Sequence, residues 1–507
     1  MAIVIGKKEQ KHEAGQDSWM KGRIRSEQIE KYLDNGKCFI DNTKIEGALA
    51  GNTNPDPKRI RDILQKSLAI ETLTLDETAC LLHVEDSELL TEMQRVAAEV
   101  KTRVYDNRIV TFAPLYLSNF CVNDCLYCSF RRGNEQARRR ILTMDEIRCE
   151  VKVLAGVIGH KRLIVVYGEH PTANIDYMVS SLRTIADVKV KTRKGWGQIR
   201  RCNVNAAPLS VEELCLLKDV GIGTYQVFQE TYHRPTYETV HPGDTVKGNY
   251  LWRLYSMHRA MEAGVDDVGI GVLFGLYDWK FEVMALLSHA VELEDKFGIG
   301  PHTISFPRLE PADNTPFVEN PEHCVYDAAF KRLVTVLRLA VPYTGTILTA
   351  RENAQLRREV LPLGCTQTDA STKIHIGGYA ERFDEDQHSE RQQFLLGDTR
   401  SLDDVVRELA QAGFITSFCT AGYRCGRTGQ KIMKLLRTGT EGQFCKLNAI
   451  ITFREWLDDF GSEQTITVGE KIIAEEIEQV RRKMPEIYEQ FLGYYEQTRA
   501  GDRDLYF

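Results

Sequence analysis

Hydrophobic runs of strand length alternate with amphipathic stretches of helical length from about residue 109 onward. Each run is almost continuously apolar, which favours strands of a parallel sheet that is buried on both faces. Eight such runs with intervening helices are typical of a (β/α)8 barrel, although an open doubly wound sheet would show nearly the same alternation. The eight runs are Ile109–Phe120, Arg162–Glu169, Arg200–Ala207, Gly223–Glu230, Asp267–Gly275, His302–Leu309, Thr344–Glu352 and Leu363–Ser371.

The pattern outside these runs divides the chain into further parts. Residues 1–55 are polar, carry turn signals and show no sustained periodicity, so we expect a loosely structured lead-in. Residues 56–105 combine acidic first turns with apolar positions at helical spacing, which predicts helices. We therefore predict an α/β protein with a TIM-type barrel at 106–375, between this N-terminal helical extension and a mostly helical C-terminal domain at 376–507.

Charge and composition exclude several kinds of partner. The formal net charge is −7, so we do not expect nucleic acid as the main partner. No stretch approaches the roughly 18 consecutive apolar residues of a membrane span, and the first residues lack a signal-peptide core. We expect a cytoplasmic protein, in which 13 cysteines favour reduced thiols, metal ligands or redox chemistry over a disulfide framework.

The spacing of three cysteines is the most informative local feature. The segment Cys121-Val-Asn-Asp-Cys125-Leu-Tyr-Cys128 directly follows the first predicted strand. Three thiolates can hold three irons of a 4Fe–4S cluster and leave the fourth iron open to another ligand. The alternatives are a zinc site, which normally needs a fourth Cys or His nearby, and three thiols that are close by chance.

Polar residues are concentrated where the predicted strands end. In a barrel, the carboxyl ends of the strands form the face that carries the chemistry. A single Arg or Asn at such a place can also be a surface salt bridge or a strand-end cap, so two interpretations stay open for each residue. The candidates are Gly168, Glu169, Asn203, Asn205, Gln229, Glu230, Arg308 and Arg351.

The cysteine spacing resembles the signature of the radical S-adenosylmethionine (SAM) superfamily. This resemblance implies that SAM chelates the open iron of the cluster and is cleaved reductively to a 5′-deoxyadenosyl radical. Tyr127 occupies the position of an aromatic residue that lies near the adenine in that family. Gly168-Glu169 resembles the Gly-Glu motif that receives the SAM ammonium, for which carbonyls and a carboxylate are suitable acceptors.

Longer segments resemble the aromatic amino acid lyases of this superfamily, in particular the tyrosine lyases that mature FeFe hydrogenase. The resemblance covers about residues 56–465 and implies cleavage of the Cα–Cβ bond of L-tyrosine to p-cresol and dehydroglycine. It also implies an external one-electron donor and, as further partners, other hydrogenase maturation proteins. The matching segments are Asn107–Asn119, Phe228–Glu238, Asp266–Asp278 and Gly300–Ser305.

The strand ends offer suitable partners for an amino acid and for SAM. Arg351 and Arg308 are the predicted ligands of the substrate carboxylate, since a guanidinium pairs bidentately with a carboxylate. His302 begins the sixth predicted strand, on the opposite face of the barrel, where a stabilising role is expected. The side chains expected around the ribose of SAM or the polar groups of the substrate are Asn203, Asn205, Gln229 and Glu230.

The C-terminal part departs from the family pattern. The resemblance to the maturases implies a second iron–sulfur cluster on a C-x₂-C-x₂₂-C arrangement, with an extra iron on which CO and cyanide are assembled. Here Cys419 and Cys445 take the outer places and Gly422 the middle one, so Cys425 would have to supply the third thiolate. Glu292 also stands where the family has a second histidine, and glutamate is a harder ligand than imidazole.

Three hypotheses follow for the function. The first is a maturase-type tyrosine lyase whose second cluster uses Cys425. The second is a related aromatic amino acid lyase that stops at dehydroglycine, as 2-iminoacetate synthase does, and lacks a functional second cluster. The third is a non-catalytic iron–sulfur scaffold, which would need neither the Gly-Glu pair nor the polar strand ends. Similarity of fold does not decide between them, because function depends on the site.

Overall fold

The computed structural model describes residues 17–315, 317–319, 321–381, 391–438 and 441–507. Its largest sheet has nine strands, which pair in parallel, and a small antiparallel hairpin of two strands lies apart from it. The strands are β1 (Arg108–Ser118), β2 (Arg162–Tyr167), β3 (Lys189–Lys191), β4 (Trp196–Gln198), β5 (Arg201–Asn205), β6 (Tyr225–Gln226), β7 (Val268–Gly271), β8 (Thr303–Ser305), β9 (Gly345–Leu348), β10 (Gln367–Asp369) and β11 (Ile415–Ser417).

Eight of these strands close into a barrel. The order runs from β1 and β2 through β5 to β10, and β10 pairs with β1 at Val110 and Gln367. Each of the eight predicted runs overlaps one of these strands. The predicted barrel is therefore confirmed, and the open sheet is excluded because the first and last strands are hydrogen-bonded to each other.

Helices surround the barrel and make up most of both ends of the chain. Several begin at capping boxes that the sequence encodes, such as the Thr143 and Glu146 pair. The helices are α1 (Glu27–Glu30), α2 (Asn42–Gly51), α3 (Pro57–Leu68), α4 (Leu75–Leu82), α5 (Ser87–Tyr105), α6 (Met144–Val153), α7 (Ile175–Asp187), α8 (Val211–Val220), α9 (Arg234–Val240), α10 (Tyr250–Leu254), α11 (Ser256–Glu262), α12 (Trp279–Phe297), α13 (Asp327–Ala340), α14 (Ala354–Val360), α15 (Leu402–Gln411), α16 (Gly429–Arg437), α17 (Glu441–Phe460), α18 (Glu463–Lys483) and α19 (Tyr488–Ala500). Among the described helices, none combines the length and the apolar composition that crossing a membrane requires.

The lead-in is more ordered than the sequence predicts. Helix α2 packs against α4 and α12, and Ile45 on α2 is 1% exposed. The prediction of a loosely structured segment is therefore wrong for residues 17–55, while residues 1–16 lie outside the described residues. A single buried isoleucine on a short polar helix leaves no periodic pattern, because packing on the barrel and not propensity decides its position. The domain boundaries that the sequence predicts after residues 105 and 375 are kept as proposals.

The C-terminal region is mostly helical, as predicted, and adds one unexpected strand. Strand β11 pairs in parallel with β1, with Ile415 opposite Arg108, and α17 covers it. Strand β11 has only three residues, which are too few to show the two-residue period of a strand in the sequence. This pairing brings the Cys-rich segment that follows β11 to the amino end of the barrel.

The barrel interior ends in two cavities. Side chains two residues apart on a strand share a face, so Arg201, Asn203 and Asn205 of β5 all point inward. Asn205 lines a cavity of about 250 Å³ at the carboxyl ends of the strands. Arg201 lines a smaller cavity of about 50 Å³ at the amino ends.

Candidate active site

The larger cavity collects most of the residues that the sequence predicts for the site. It is formed where the carboxyl ends of the barrel strands meet the cysteine loop after β1. The predicted residues that line it are Cys121, Cys125, Tyr127, Cys128, Gly168, Glu169, Asn205, Glu230 and Arg351.

The three cysteines lie on one wall of this cavity, and two side-chain amides point at their sulfurs. Asn123 donates to Cys121 Sγ at 3.6 Å, and Gln393 donates to Cys128 Sγ at 3.4 Å. Hydrogen bonds of this kind tune the charge and potential of cluster sulfurs. Burial raises the pKa of the Cys125 thiol to about 12, so a positively charged metal centre is needed to keep it as a thiolate near neutral pH.

The arrangement fits an iron–sulfur cluster better than a single metal ion. In the described ranges, no three Cys, His, Asp or Glu side chains converge as they would around one ion. A cluster makes no such demand, because each thiolate binds its own iron. Among the described residues, the geometry therefore offers no converged site of the kind a single zinc ion requires.

Gly168 and Glu169 lie beside the cysteines, at the end of β2. The Gly168 N–H donates to the carbonyl oxygen of Ser118 at 2.9 Å. A Cβ on Gly168 would lie 2.1 Å from the Phe120 carbonyl oxygen, so this position accepts only glycine. The close approach holds the carboxylate of Glu169 against the cavity wall.

Glu169 has one satisfied and one unsatisfied oxygen. Its Oε2 accepts a 2.6 Å hydrogen bond from Asn123, whereas the buried Oε1 has no hydrogen-bond partner among the described residues. Burial raises the pKa of this carboxyl. A buried carboxylate oxygen without a partner is costly, so the site fits a cationic group such as the ammonium of SAM.

Glu230 is held by two cations beside the cysteine loop. Lys247 Nζ and Arg253 Nη2 lie 2.9 and 3.2 Å from its Oε1. Burial favours the neutral acid, but these two charges outweigh it and the pKa of Glu230 is lowered. The backbone of Glu230 has a φ of +71°, a strained conformation for a residue with a side chain. Nearby, the Tyr127 hydroxyl contacts His241 Nε2 at 2.7 Å.

Three predicted residues do not reach the cavity. Asn203 lies one layer deeper, where its Oδ1 accepts from the Thr224 N–H at 2.9 Å. Gln229 points away, because Gln226, Phe228 and Glu230 occupy the inward face of that strand. The predicted contacts of Asn203 and Gln229 with SAM or substrate are therefore corrected.

The structure also contradicts the prediction that Arg308 binds the substrate carboxylate. Its Nε donates to Glu352 Oε1 at 3.0 Å, a second nitrogen contacts Oε2, and Nη1 lies 2.9 Å from Asp327 Oδ1. A guanidinium that is already paired bidentately with one carboxylate has no free edge for another. Arg308 therefore matches the alternative interpretation, a structural salt bridge at the strand end.

Arg351 keeps its charge available. It lines the cavity, its Cζ lies 3.3 Å from the centroid of the Phe394 ring, and its Nη1 donates to the carbonyl oxygen of Arg308 at 3.3 Å. Within the part of the chain that the structure describes, Arg351 has no carboxylate partner. Burial lowers the pKa of Arg351 and outweighs the opposing effect of nearby acidic groups, among them Glu310.

Sequence reasoning missed several polar and charged residues of the cavity. Asn123 stands within the cysteine loop, and Gln226 could have been found by counting back in twos from Glu230. Lys247 and Arg253 come from a segment without a motif, and Glu310 follows β8 with no local signal. Among the missed residues are Asn123, Gln226, Lys247, Arg253, Glu310 and Gln393.

The smaller cavity brings together Cys419, Gly422, Cys445 and His302 at the amino end of the barrel, the face on which His302 was predicted. Cys425 lies elsewhere, with its Sγ 3.5 Å from the Phe507 carbonyl oxygen. The predicted set of three thiolates is therefore not assembled. The short 3-10 turn Gly422–Cys425 explains this outcome, because it turns Cys425 toward the chain end. Glu292, which takes the place of the family's second histidine, contacts His258: its Oε1 lies 3.3 Å from His258 Nε2.

Comparison with known proteins agrees with this geometry. Residues 115–287 match the model of the radical SAM superfamily, and residues 305–415 match the Biotin and Thiamin Synthesis associated domain. The 2-iminoacetate synthase of Salmonella typhimurium is 30% identical over 353 residues, which are 69% of this chain and 88% of that protein. The enzyme of the same name from Escherichia coli is 29% identical over 371 residues, or 73% of this chain and 93% of that protein. The chain belongs to the radical SAM lyase family of these enzymes.

Solved structures of this family extend the similarity to the C-terminal region. HydG, a maturase of the FeFe-hydrogenase, is 47% identical with a TM-score of 0.87, and the match covers 92% of this chain and 100% of that chain. HydG from Carboxydothermus hydrogenoformans is 37% identical with a TM-score of 0.74, and the match covers 90% and 97%. The present radical SAM protein is thus a carbon–carbon lyase, whose family membership implies a 4Fe–4S cluster and SAM as cofactors.

Proposed function

We propose that this radical SAM lyase cleaves the Cα–Cβ bond of L-tyrosine to p-cresol and dehydroglycine. The observation that carries the proposal is the position of Arg351, a half-buried cation without an ion-paired carboxylate in the described structure, in the same cavity as the cysteine triplet. The carboxylate of an amino acid would supply the missing charge. Similarity to 2-iminoacetate synthase and HydG supports an amino acid lyase.

We assign the cofactors to the part of the cavity formed by the cysteine loop and the end of β2. Cys121, Cys125 and Cys128 hold the cluster, while Glu169 and Tyr127 hold SAM. When bound, this pair of cofactors supplies a carbon-centred radical that abstracts hydrogen from the substrate. The barrel positions both sets of residues, so that a substrate held by Arg351 lies in the same cavity as the cofactors.

The floor of the cavity suits an aromatic ring. Phe112, Ile164 and Ile347 form a small apolar cluster inside the barrel, separate from the main core, and all three line the cavity. An aromatic side chain on this floor would keep the polar end of the amino acid near Arg351. We therefore propose an aromatic amino acid as the substrate class, with L-tyrosine as the specific substrate on the sequence resemblance.

The presence or absence of a second cluster distinguishes the maturase-type lyase from the related lyase that stops at dehydroglycine. Because Cys425 faces Phe507 and not the smaller cavity, the structure favours a lyase without a second cluster of the maturase form. Synthesis of CO and cyanide for a hydrogenase is the second candidate function. It is favoured by the joint position of Cys419 and Cys445 on one cavity and by the similarity to HydG. A scaffold without catalysis would not require the Gly168 and Glu169 arrangement.

An activity assay tests the proposed reaction. Enzyme reconstituted without oxygen, with SAM, dithionite and L-tyrosine, is expected to form p-cresol. Arg351→Gln removes the cation and should lower p-cresol formation at a fixed, limiting tyrosine concentration by at least about tenfold. The matched control is Arg358→Gln, an exposed arginine paired with Glu408 at 2.8 Å, which should leave the rate unchanged. Turnover of L-tryptophan with none of tyrosine would contradict the proposed substrate.

A further inference from the structure

Two opposite charges, Glu310 and Arg351, lie near each other on the same side of the larger cavity without a direct ion pair in the described structure. Arg351 follows β9, and Glu310 follows β8, the neighbouring strand. The Arg351 guanidinium donates to the carbonyl oxygen of residue 308, two positions before Glu310, which brings the two side chains to one part of the wall. Both line the cavity, yet no ion pair or hydrogen bond of the Glu310 carboxylate exists in the described structure, and Arg351 contacts no carboxylate there.

The other charged groups of this cavity are already satisfied. Glu230 binds Lys247 and Arg253. Asp369 accepts from the Ala350 N–H and from the Thr372 hydroxyl, each at 2.7 Å. Arg308, just outside the cavity, is paired with Glu352. Apart from Glu169, which we assign to SAM, the described charges left for the substrate are therefore Glu310 and Arg351.

We propose that Glu310 and Arg351 recognise the two charges of an α-amino acid, with Glu310 binding its ammonium group and Arg351 its carboxylate. This inference rests on the proposed function, because it names how the same cavity selects its substrate. Neighbouring strands lie about 4.8 Å apart, which suits two groups that are attached to one carbon atom. Glu310 is thus a substrate-binding residue that completes the role of Arg351.

The pair would exclude ligands that carry only one of the two charges. An amine would leave the half-buried Arg351 without its substrate partner, and a carboxylic acid would do the same to the half-buried Glu310. A site built to pair both groups rejects an analogue that lacks one of them, because the unpaired protein group keeps its desolvation cost. If Glu310 were instead a structural carboxylate, we would expect it to be hydrogen-bonded like Glu352 or Asp369.

Equilibrium binding to the reconstituted enzyme, with SAM present and reductant absent, tests the pair without turnover. The ligands are L-tyrosine, tyramine, which lacks the carboxylate, and 3-(4-hydroxyphenyl)propionate, which lacks the amino group. Glu310→Gln should weaken tyrosine binding by roughly 10- to 100-fold and leave binding of the propionate within about twofold of wild type. Arg351→Gln should show the converse, with tyrosine weakened and tyramine almost unaffected.

Controls separate a local effect from general damage. Glu359→Gln makes the same chemical change on an exposed helix and should leave all three affinities unchanged. Retained absorbance of the iron–sulfur cluster shows that each variant is folded. The assignment of Glu310 would be overturned if Glu310→Gln lost affinity for tyrosine and for the propionate equally. It would also be overturned if the affinity for tyrosine did not fall.

The same titrations distinguish this inference from the proposed function. If wild type prefers another aromatic amino acid, the choice of tyrosine is wrong. The comparison is then repeated with the amine and acid analogues of that amino acid. Losses of affinity that depend on the charged group of the ligand still support the roles of Glu310 and Arg351. If wild type binds no α-amino acid at all, both the pair and the proposed function are rejected.

Discussion

Asn123 connects the cysteine loop to the end of β2 through a 2.6 Å hydrogen bond from its Nδ2 to Glu169 Oε2. The same nitrogen lies 3.6 Å from Cys121 Sγ, and the Asn123 Oδ1 accepts from the Lys247 N–H at 2.9 Å. One amide thus orients a cluster ligand, the proposed acceptor of the SAM ammonium and a segment that reaches Glu230. Asn123 thus connects the cysteine loop directly to Glu169, the residue proposed to bind SAM.

Replacing Asn123 should therefore weaken SAM binding. Asn123→Ala leaves Glu169 Oε2 without its donor and should raise the Kd for SAM by roughly 10-fold or more, since a hydrogen bond to a charged group contributes about 1.5–3 kcal/mol. Equilibrium dialysis with labelled SAM measures this effect. Asn54→Ala, at an exposed position, is the matched control. An unchanged Kd in Asn123→Ala would contradict the assigned role of Glu169.

Gly168 should tolerate no side chain. In Gly168→Ala the new methyl group would lie 2.1 Å from the Phe120 carbonyl oxygen, so the turn after β2 must move. We expect formation of 5′-deoxyadenosine to fall at least about tenfold, because shifts of this size in a positioning element cost up to about 100-fold. Gly493→Ala lies on an exposed helix with open space around it and should have no effect on that rate. Wild-type rates in Gly168→Ala would show that this turn does not position SAM.

The sequence predicts the barrel well because each buried strand carries its own apolar run, and the cysteine spacing identifies the cluster locally. Side-chain direction is harder to predict. Asn203 and Gln229 look equivalent to Asn205 and Glu230 in the sequence, yet one lies a layer deeper and the other on the opposite face. Glu310 could not be found, since its importance comes from Arg351 on the next strand. Long-range pairing of this kind leaves no pattern along the chain.

Tyrosine binding should depend on pH through Glu310. Burial and the nearby Glu352 raise the pKa of this carboxyl to about 7, against the opposing effect of Arg351 and Arg308. Below that value Glu310 is neutral and cannot pair with an ammonium group, so the Kd for tyrosine should rise as the pH falls from 8 to 6. Titrations in Glu310→Gln should lose this dependence. A wild-type Kd that is constant over the interval would contradict the interpretation.

Iron content should not depend on Cys425. Its thiol faces the Phe507 carbonyl oxygen, so Cys425→Ala is expected to retain the wild-type iron-to-protein ratio and EPR signal. Cys125→Ala removes a ligand of the SAM cluster and should lose iron. Gly422→Cys would add a third thiol to the cavity of Cys419 and Cys445 and should gain a second cluster signal. Loss of about half the iron in Cys425→Ala would instead support a second cluster built on that residue.

The ratio of p-cresol to 5′-deoxyadenosine, formed from L-tyrosine by the reduced enzyme with SAM, tests the central claim most directly. The account predicts that both products accumulate together, in a ratio close to one, and that neither forms in Cys125→Ala. Formation of 5′-deoxyadenosine without p-cresol would contradict the claim that the cavity between the cysteine triplet and Arg351 is the site of tyrosine cleavage.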